Sequence, residues 1–143
     1  MAVRGLLAAM AVLLLAAPAW GQGSAQVAAL QTGLTAKRLY FDTIDGVDGP
    51  STKAAVRHFQ RRVGLTPDGV AGRKTRLALG RFGRHSIGSR VLAPGAYGWD
   101  VAALQFKLAW HGFPSWTFDG VFGARLEAAL IGFQQWAGLE VDG

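Results

Sequence analysis

The chain has 143 residues, enough for one ordinary domain or two small ones, and its lack of cysteine excludes disulfides, thiol nucleophiles and cysteine-bound zinc. Its net charge of +6 is uneven, because residues 1–90 carry a formal +9 and residues 91–143 carry −3. The basic part is either a merely solvated face or a surface for an anionic wall polymer, an anionic lipid or nucleic acid.

The first element is predicted to be a secretory signal peptide over residues 1–25. Arg4 precedes the apolar run 6–17, and Ala17, Pro18 and Ala19 offer small residues for cleavage. A membrane anchor is the alternative, but the run is shorter than the roughly 20 residues that span a bilayer. We therefore expect an exported protein, secreted or periplasmic, without a stable membrane anchor after cleavage. Export makes nucleic acid the poorest of the candidate partners.

Residues 27–69 recur as residues 101–143 at a constant offset of 74, and 19 of the 43 aligned positions are identical. Internal similarity of this kind indicates a duplicated structural unit. The sequence predicts one unit over residues 26–80, called repeat 1, and a second over residues 91–143, called repeat 2. Between them, residues 81–90 are rich in glycine and arginine and are expected to form an exposed linker.

Each repeat is predicted to begin with an amphipathic helix. Apolar residues at helical spacing define its buried side: Val27, Leu30 and Leu34 in repeat 1, and Val101, Leu104 and Leu108 in repeat 2. Asp100 is expected to be the N-cap in repeat 2, and Gln26, which takes its place in repeat 1, predicts a poorer cap there.

A loop then leads to an Asp-Gly turn, which begins at Asp45 in repeat 1 and at Asp119 in repeat 2. In such a turn the carboxylate accepts backbone N–H groups and the glycine tolerates a positive φ. We expect Gln31 and Gln105, on the preceding helices, to hydrogen-bond the backbone of these loops. Structure explains these glutamines and aspartates better than ligand binding does.

A second helix is predicted after each turn, with Pro50 in its first turn in repeat 1. Its predicted buried residues are Ala55, Val56, Phe59 and Val63 in repeat 1, and Ala129, Leu130, Phe133 and Ala137 in repeat 2. Gly64 and Gly138 follow and predict left-handed helix ends.

In repeat 1 a further Asp-Gly turn at Asp68 leads to a short third helix over residues 73–79, with Leu77 and Val70 facing inward. The printed sequence offers no counterpart in repeat 2. The predicted fold is all-α, with two small three-helix bundles of which the second lacks its third helix. Without that packing partner, the second helix of repeat 2 is expected to be frayed.

These motifs resemble the bacterial peptidoglycan-binding domain of the three-helix type. The residues that carry the resemblance are Asp100-Val101, Leu104-Gln105, Asp119-Gly120, Phe133-Gln134, Gly138-Leu139 and Asp142-Gly143, with Leu30-Gln31, Asp45-Gly46, Phe59-Gln60, Gly64-Leu65, Asp68-Gly69 and Thr75 in repeat 1. The resemblance implies a cell-wall-targeting module, commonly attached to an enzyme that cuts or rebuilds peptidoglycan. Two departures stand out: Asp48 occupies a place where an aromatic residue is usual, and in repeat 2 the pair Arg125-Leu126 replaces the threonine expected where repeat 1 has Ser51-Thr52.

Two sets of exposed side chains are candidates for contact with the glycan or peptide stem of peptidoglycan. The first is aromatic, with rings suited to stacking: Tyr40, Phe41, Trp110, Phe113 and Trp116. The second is cationic, suited to carboxylates, and lies on one face of the second helix: Lys53, Arg57 and Arg61. The alternatives are a loop folded onto a small core for the first set and a solvated face for the second.

Catalysis has little support in the sequence. The three histidines lie far apart, no serine sits in a nucleophile motif, and turn roles explain the aspartates better than a glycosidase pair does. We therefore predict a peptidoglycan-binding module that is non-catalytic in itself, with no cofactor and no metal. Two other hypotheses stay open: the targeting part of a peptidoglycan hydrolase (metallopeptidase, amidase or lytic transglycosylase) whose catalytic domain lies beyond residue 143, and a structural or protein-interaction module.

Overall fold

The computed structural model describes residues 23–143, and this part of the chain is helical. Its five helices are α1 (Ala25–Ala36), α2 (Pro50–Arg62), α3 (Arg73–Ala78), α4 (Trp99–Trp110) and α5 (Ala124–Ala137). The only extended pairing among these residues is an isolated bridge between Tyr97 and Val121. The all-α prediction is confirmed. The predicted signal peptide falls almost entirely on residues outside the described part and stays a prediction.

Helix α2 follows the predicted pattern, with one exception. Pro50 occupies its first position, and Ala55, Val56 and Phe59 are buried. Val63 was also expected to be buried, but it is 39 % exposed, because the helix ends at Arg62 and the chain turns away through Gly64, which has a φ of +74°. The left-handed helix end predicted at Gly64 is therefore confirmed, and the inward position of Val63 is wrong.

Helix α3 forms where it was predicted, but it turns a different side toward the core. Leu77 is 44 % exposed and Val70 is 67 % exposed, so their predicted inward positions are wrong. Leu79 is buried instead and packs against Gly33 of α1. A helix of six residues has less than two turns, and the residue that follows it completes its apolar contact.

The helix caps differ from those predicted. Ser24 is the N-cap of α1, and its hydroxyl accepts a hydrogen bond from the Gln26 N–H at 3.2 Å. Helix α4 has no side-chain cap, because it begins two residues earlier than expected, at Trp99, and Gly98 takes the N-cap position. Asp100 therefore lies inside the first turn, where it pairs with Arg90 at 2.7 Å and raises the pKa of that guanidinium. The prediction that α1 is the less well capped helix is wrong.

The two repeats share one hydrophobic core. Helix α1 packs along α4, the most extensive contact between helices in the described residues. The indole N–H of Trp99 donates to the side-chain oxygen of Gln26 at 2.9 Å, which joins the two helices at their first turns. A second apolar cluster, around Phe122 and Leu126, belongs to repeat 2 alone.

Phe82 lies in the segment expected to be an exposed linker, yet it is only 4 % exposed. Its ring is so close to Gly33 of repeat 1 and Gly120 of repeat 2 that a methyl group on either glycine would come within 2.8 Å of it. Its carbonyl accepts the Trp99 N–H at 2.8 Å. The linker prediction is wrong at Phe82, because an aromatic residue in a glycine-rich segment can enter a cleft that neighbouring glycines leave open. The limits of the repeats stay predictions.

Helix α5 packs on α4 and ends at Gly138, whose φ of +67° confirms the predicted left-handed end. Ala129 is buried, whereas Leu130 and Phe133 are only partly buried and Ala137 is exposed, so the predicted buried side holds for its first half. Within residues 23–143 no helix has the length and hydrophobicity needed to cross a membrane.

Candidate functional site

The first Asp-Gly turn is held by the side chain of Gln31, which is fully buried on α1. Its carbonyl oxygen accepts the Gly46 N–H at 2.9 Å, and its amide nitrogen lies 2.8 Å from the Asp45 carboxylate. The same carboxylate oxygen accepts the Val47 N–H at 2.9 Å. One glutamine therefore fixes both the donor and the acceptor side of the turn, as the sequence predicted.

This Gln–Asp-Gly motif occurs four times in the described residues. Gln60 holds the turn at Asp68, Gln105 the turn at Asp119, and Gln134 the turn at Asp142. The Asp68 carboxylate accepts N–H groups from Val70 and Gln60, which lowers its pKa. Within repeat 1 the turns also share a pattern with an offset of 23, since Thr52 and Thr75 stand at corresponding places.

The motif in repeat 1 has hydroxyl groups around it that its counterpart in repeat 2 lacks. The amide nitrogen of Gln31 lies 3.0 Å from the hydroxyl oxygens of both Tyr40 and Thr52. Burial, together with the negative charge of neighbouring aspartates, raises the pKa of Tyr40. In repeat 2, Leu126 stands in the place of Thr52 and is buried against Phe122 instead.

A groove of about 530 Å³ opens beside the first turn of repeat 1. It will be called groove 1. One wall is the loop after α1 and the other is the turn with the start of α2. Its lining residues are Tyr40, Phe41, Asp42, Thr43, Asp45, Val47, Gly49, Pro50, Ser51 and Thr52.

A smaller groove of about 280 Å³, called groove 2, lies beside the corresponding turn of repeat 2. Its lining residues are Thr117, Asp119, Val121, Gly123, Ala124, Arg125 and Leu126. Each of these seven positions corresponds to a lining position of groove 1 at the offset of 74. The duplicated unit therefore presents the same concave surface twice.

Comparison with known protein families matches the chain twice to the peptidoglycan binding domain, over residues 23–79 and 97–143. The chain belongs to this family. The two matches coincide with the two Gln–Asp-Gly-containing units and account for most of the sequence. The resemblance seen in the sequence motifs is confirmed.

The chain is similar to segments of an amidase and of spore cortex-lytic enzymes. The chain is 42 % identical over 94 residues to the N-acetylmuramoyl-L-alanine amidase CwlM of Mycobacterium tuberculosis, a match covering 62 % of this chain and 23 % of the amidase. It is 43 % identical over 58 residues to the spore cortex-lytic enzyme of Bacillus cereus, covering 41 % of this chain and 22 % of that enzyme. The spore cortex-lytic enzyme of Oceanobacillus iheyensis is 41 % identical over 59 residues, which are 41 % of this chain and 21 % of the enzyme. The chain thus spans less than a quarter of these relatives, and no solved structure gives a significant match.

In this peptidoglycan binding domain, the predicted aromatic contacts occupy different places. Phe41 is 84 % exposed at groove 1, whereas Tyr40 is buried and contributes its hydroxyl to the Gln31 network. Trp116 is 83 % exposed and precedes Thr117 of groove 2, with an unusual φ of +63°.

Trp110 and Phe113 lie away from groove 2. Trp110 is half-exposed beside Phe106, and Phe113 is half-buried with its ring 5.8 Å from that of Phe133. The aromatic residues predicted as contacts are therefore not brought together into one surface.

The predicted cationic contacts lie on α2, outside the groove linings. Lys53 is 3.8 Å from the Asp48 carboxylate, and the Arg57 guanidinium lies over the second turn, within 2.8 Å of where a methyl group on Gly69 would stand. Arg61 is exposed without an ion pair among the described residues. Their role as ligand contacts stays a prediction.

Of the groove residues, only Tyr40 and Phe41 were predicted as contacts; the polar and charged side chains that the sequence reasoning did not select include Asp42, Ser51, Thr52 and Arg125. The departure from the family pattern at Leu126 was a signal for groove 2, because the residues that follow an Asp-Gly turn begin the next helix, and the first turn of that helix lines the groove. Within residues 23–143 no group of three or more histidine, aspartate or glutamate side chains comes close enough together to hold a metal ion.

Proposed function

We propose that grooves 1 and 2 are the surfaces through which this peptidoglycan-binding chain contacts its polymer. The observation that carries the proposal is the coincidence of all seven lining positions of groove 2 with positions of groove 1. A duplicated concave surface with polar groups and an exposed ring suits a ligand that itself repeats. The chain is then a binding module with two weak contacts, and their linkage raises the overall affinity.

The side chains of groove 1 suit a saccharide or a peptide stem. Ser51 and Thr52 bring hydroxyl groups, Asp42 and Asp45 bring carboxylates that accept O–H and N–H donors, and Phe41 offers a ring face. Because Asp45 already accepts bonds from Gln31 and Val47 through one oxygen, its other oxygen is available for a ligand.

Groove 2 offers the same contacts in a reduced form. Arg125 takes the place of Ser51, which favours a carboxylate of the stem, and Leu126 removes a hydroxyl group. Trp116, which is exposed and directly precedes Thr117 of groove 2, supplies the ring. Its left-handed backbone is costly for a bulky residue, and such conformations are concentrated at functional sites.

Retention on purified sacculi tests this proposal. Phe41→Ala and Trp116→Ala should each weaken retention about two- to twelvefold, since an aromatic contact contributes about 0.5–1.5 kcal/mol. The double variant should lose more than either single one. Val91→Ala is the matched control, because Val91 is 93 % exposed and lies outside both grooves. If Phe41→Ala and Trp116→Ala are both retained as well as the Val91→Ala control, the groove assignment is refuted.

A second proposal is that the chain targets a peptidoglycan hydrolase to its substrate. The names of the relatives support it, because an amidase and the cortex-lytic enzymes each contain a segment similar to this chain within a much longer protein. Reading the coding sequence downstream of the Gly143 codon tests it. An open frame leading into a hydrolase domain is expected, and an immediate stop codon would refute it.

Export is proposed on the same grounds, since the polymer lies outside the cytoplasm. Mass spectrometry of the chain recovered from the extracytoplasmic fraction should give an N-terminus within residues 18–26. Recovery of the intact N-terminus from the cytoplasm would contradict the predicted signal peptide.

A further inference from the structure

One end of repeat 1 combines unpaired cations with exposed aliphatic side chains. It will be called the basic end and consists of Arg61, Arg62, Val63, Val70, Arg73, Lys74 and Leu77. Residues 60–79 contain five cations and one carboxylate, that of Asp68, which is already bonded to Gln60 and Val70. The ion pairs of the described residues involve Lys53 and Arg90 and none of the cations of the basic end.

The Gln60 side chain brings these residues into one place. Its amide nitrogen lies 2.7 Å from Asp68 in the turn, 3.0 Å from the Val70 carbonyl and 3.1 Å from the Thr75 hydroxyl on α3. Arg61 follows Gln60 and Lys74 precedes Thr75, so the last turn of α2 and the first turn of α3 present their charges around the same anchored turn.

The exposed aliphatic residues are those that the sequence placed in the core. Val63, Val70 and Leu77 are 39 %, 67 % and 44 % exposed, and all three stand among the cations. The corresponding α5 positions in repeat 2, Gln135, Trp136 and Ala137, carry no charge. The combination is therefore a property of repeat 1, separate from both grooves.

We propose that the basic end binds the surface of a membrane rich in anionic phospholipids. Cations next to aliphatic side chains suit the headgroup region, where phosphates meet the charges and the boundary with the acyl chains accepts the apolar groups. A soluble polyanion would bind the cations but would leave the aliphatic side chains exposed to water. The binding is peripheral and reversible, and it holds a wall-binding chain close to the membrane surface.

Vesicle sedimentation tests the proposal with the full chain, using equal parts of phosphatidylglycerol and phosphatidylcholine against phosphatidylcholine alone. Binding is expected on the anionic vesicles. The double variant Arg73→Gln/Lys74→Gln should lower the partition coefficient about thirtyfold, because each cation near the surface contributes about 1 kcal/mol. All variants keep the same N-terminal residues, so these residues do not contribute to differences between the variants.

Two further variants separate a membrane from other causes. Lys37→Gln/Lys107→Gln removes the same charge from exposed positions elsewhere and should change binding less than threefold. Val70→Ser/Leu77→Ser should weaken vesicle binding about tenfold or more while retention on a polyphosphate resin stays unchanged. Equal losses of vesicle binding in Arg73→Gln/Lys74→Gln and Lys37→Gln/Lys107→Gln would overturn the proposal. Unchanged vesicle binding by Val70→Ser/Leu77→Ser would also overturn it, and would indicate a surface for a soluble polyanion. Retention on sacculi is measured in parallel and should stay unchanged for all these variants.

Discussion

The two repeats stabilise the same Asp-Gly turn with different surrounding side chains. In both, a buried glutamine holds an Asp-Gly turn at nearly the same distances, 2.8 Å to the aspartate and 2.9 Å from the glycine N–H. In repeat 1 hydroxyl groups from Tyr40 and Thr52 complete the network. In repeat 2 an apolar contact between Phe122 and Leu126 replaces the polar support.

This difference shows which part of the unit is fixed and which part can vary. The glutamine and the turn set the backbone, because they satisfy buried donors and acceptors that would otherwise be unpaired. The positions at 48 and 52, or 122 and 126, are polar together in repeat 1 and apolar together in repeat 2. Groove 2, beside the apolar pair, has a volume of about 280 Å³, whereas groove 1, beside the polar pair, has about 530 Å³. Repeat 1 therefore has the larger and more polar groove.

The largest expected effect is on stability, and it tests whether the two repeats unfold independently of each other. Phe82→Ala should lower the free energy of unfolding by about 3–5 kcal/mol, because it opens a cavity in the core that both repeats share. Guanidinium unfolding followed by tryptophan fluorescence measures it. Phe41→Ala, a change at an exposed ring, should stay within about 0.5 kcal/mol. An effect of Phe82→Ala no larger than this control would show that the repeats fold independently.

The second largest effect is the loss of stability on replacing Gln31 or Gln105. Gln31→Leu should cost about 3 kcal/mol and Gln105→Leu about 2 kcal/mol, since each leaves a buried glycine N–H unpaired and Gln31 has more partners to lose. Chemical unfolding of the two variants under identical conditions gives the ranking. The reverse order would mean that the hydroxyl groups of repeat 1 hold the turn without the glutamine.

A third measurement compares the second helices. Phe59 is 2 % exposed, whereas Phe133 is only partly buried, so amides of α5 should exchange at least about tenfold faster than those of α2. Hydrogen exchange with mass spectrometry resolves the two helices. Equal protection would contradict the expected fraying of repeat 2.

The smallest effect concerns the second turn of repeat 1. The lowered pKa of Asp68 means that its carboxylate stabilises the fold above its ordinary pKa of 3.8, and that this contribution is lost as the pH falls through the lowered value. Asp68→Asn should flatten the decrease in the free energy of unfolding below about pH 4. Parallel curves for the two proteins would assign the acid sensitivity to other carboxylates.

Sequence reasoning was most successful where a local rule decides the outcome. The duplicated pattern, the helices, the left-handed glycines and the role of Gln31 and Gln105 all follow from periodicity and from the bonding needs of an Asp-Gly turn. For the proposed binding surface it identified Phe41 as an exposed ring, but did not select Ser51 and Thr52 as contacts. These face a groove only because the loop after α1 folds over the start of α2, a contact between segments that no local pattern encodes.

The sequence by itself therefore determined the repeated unit, its turns and its family, because each depends on residues close together in the chain or on motif identity. Only the tertiary structure decided that α1 and α4 share one core and that Phe82 is buried between the repeats. It also decided that Val63, Val70 and Leu77 face outward. The reason is geometric: an apolar residue at the end of a short helix is buried or exposed according to which neighbour packs beside it, and the close approach that glycines such as Gly33 and Gly120 allow arises only once distant segments have come together.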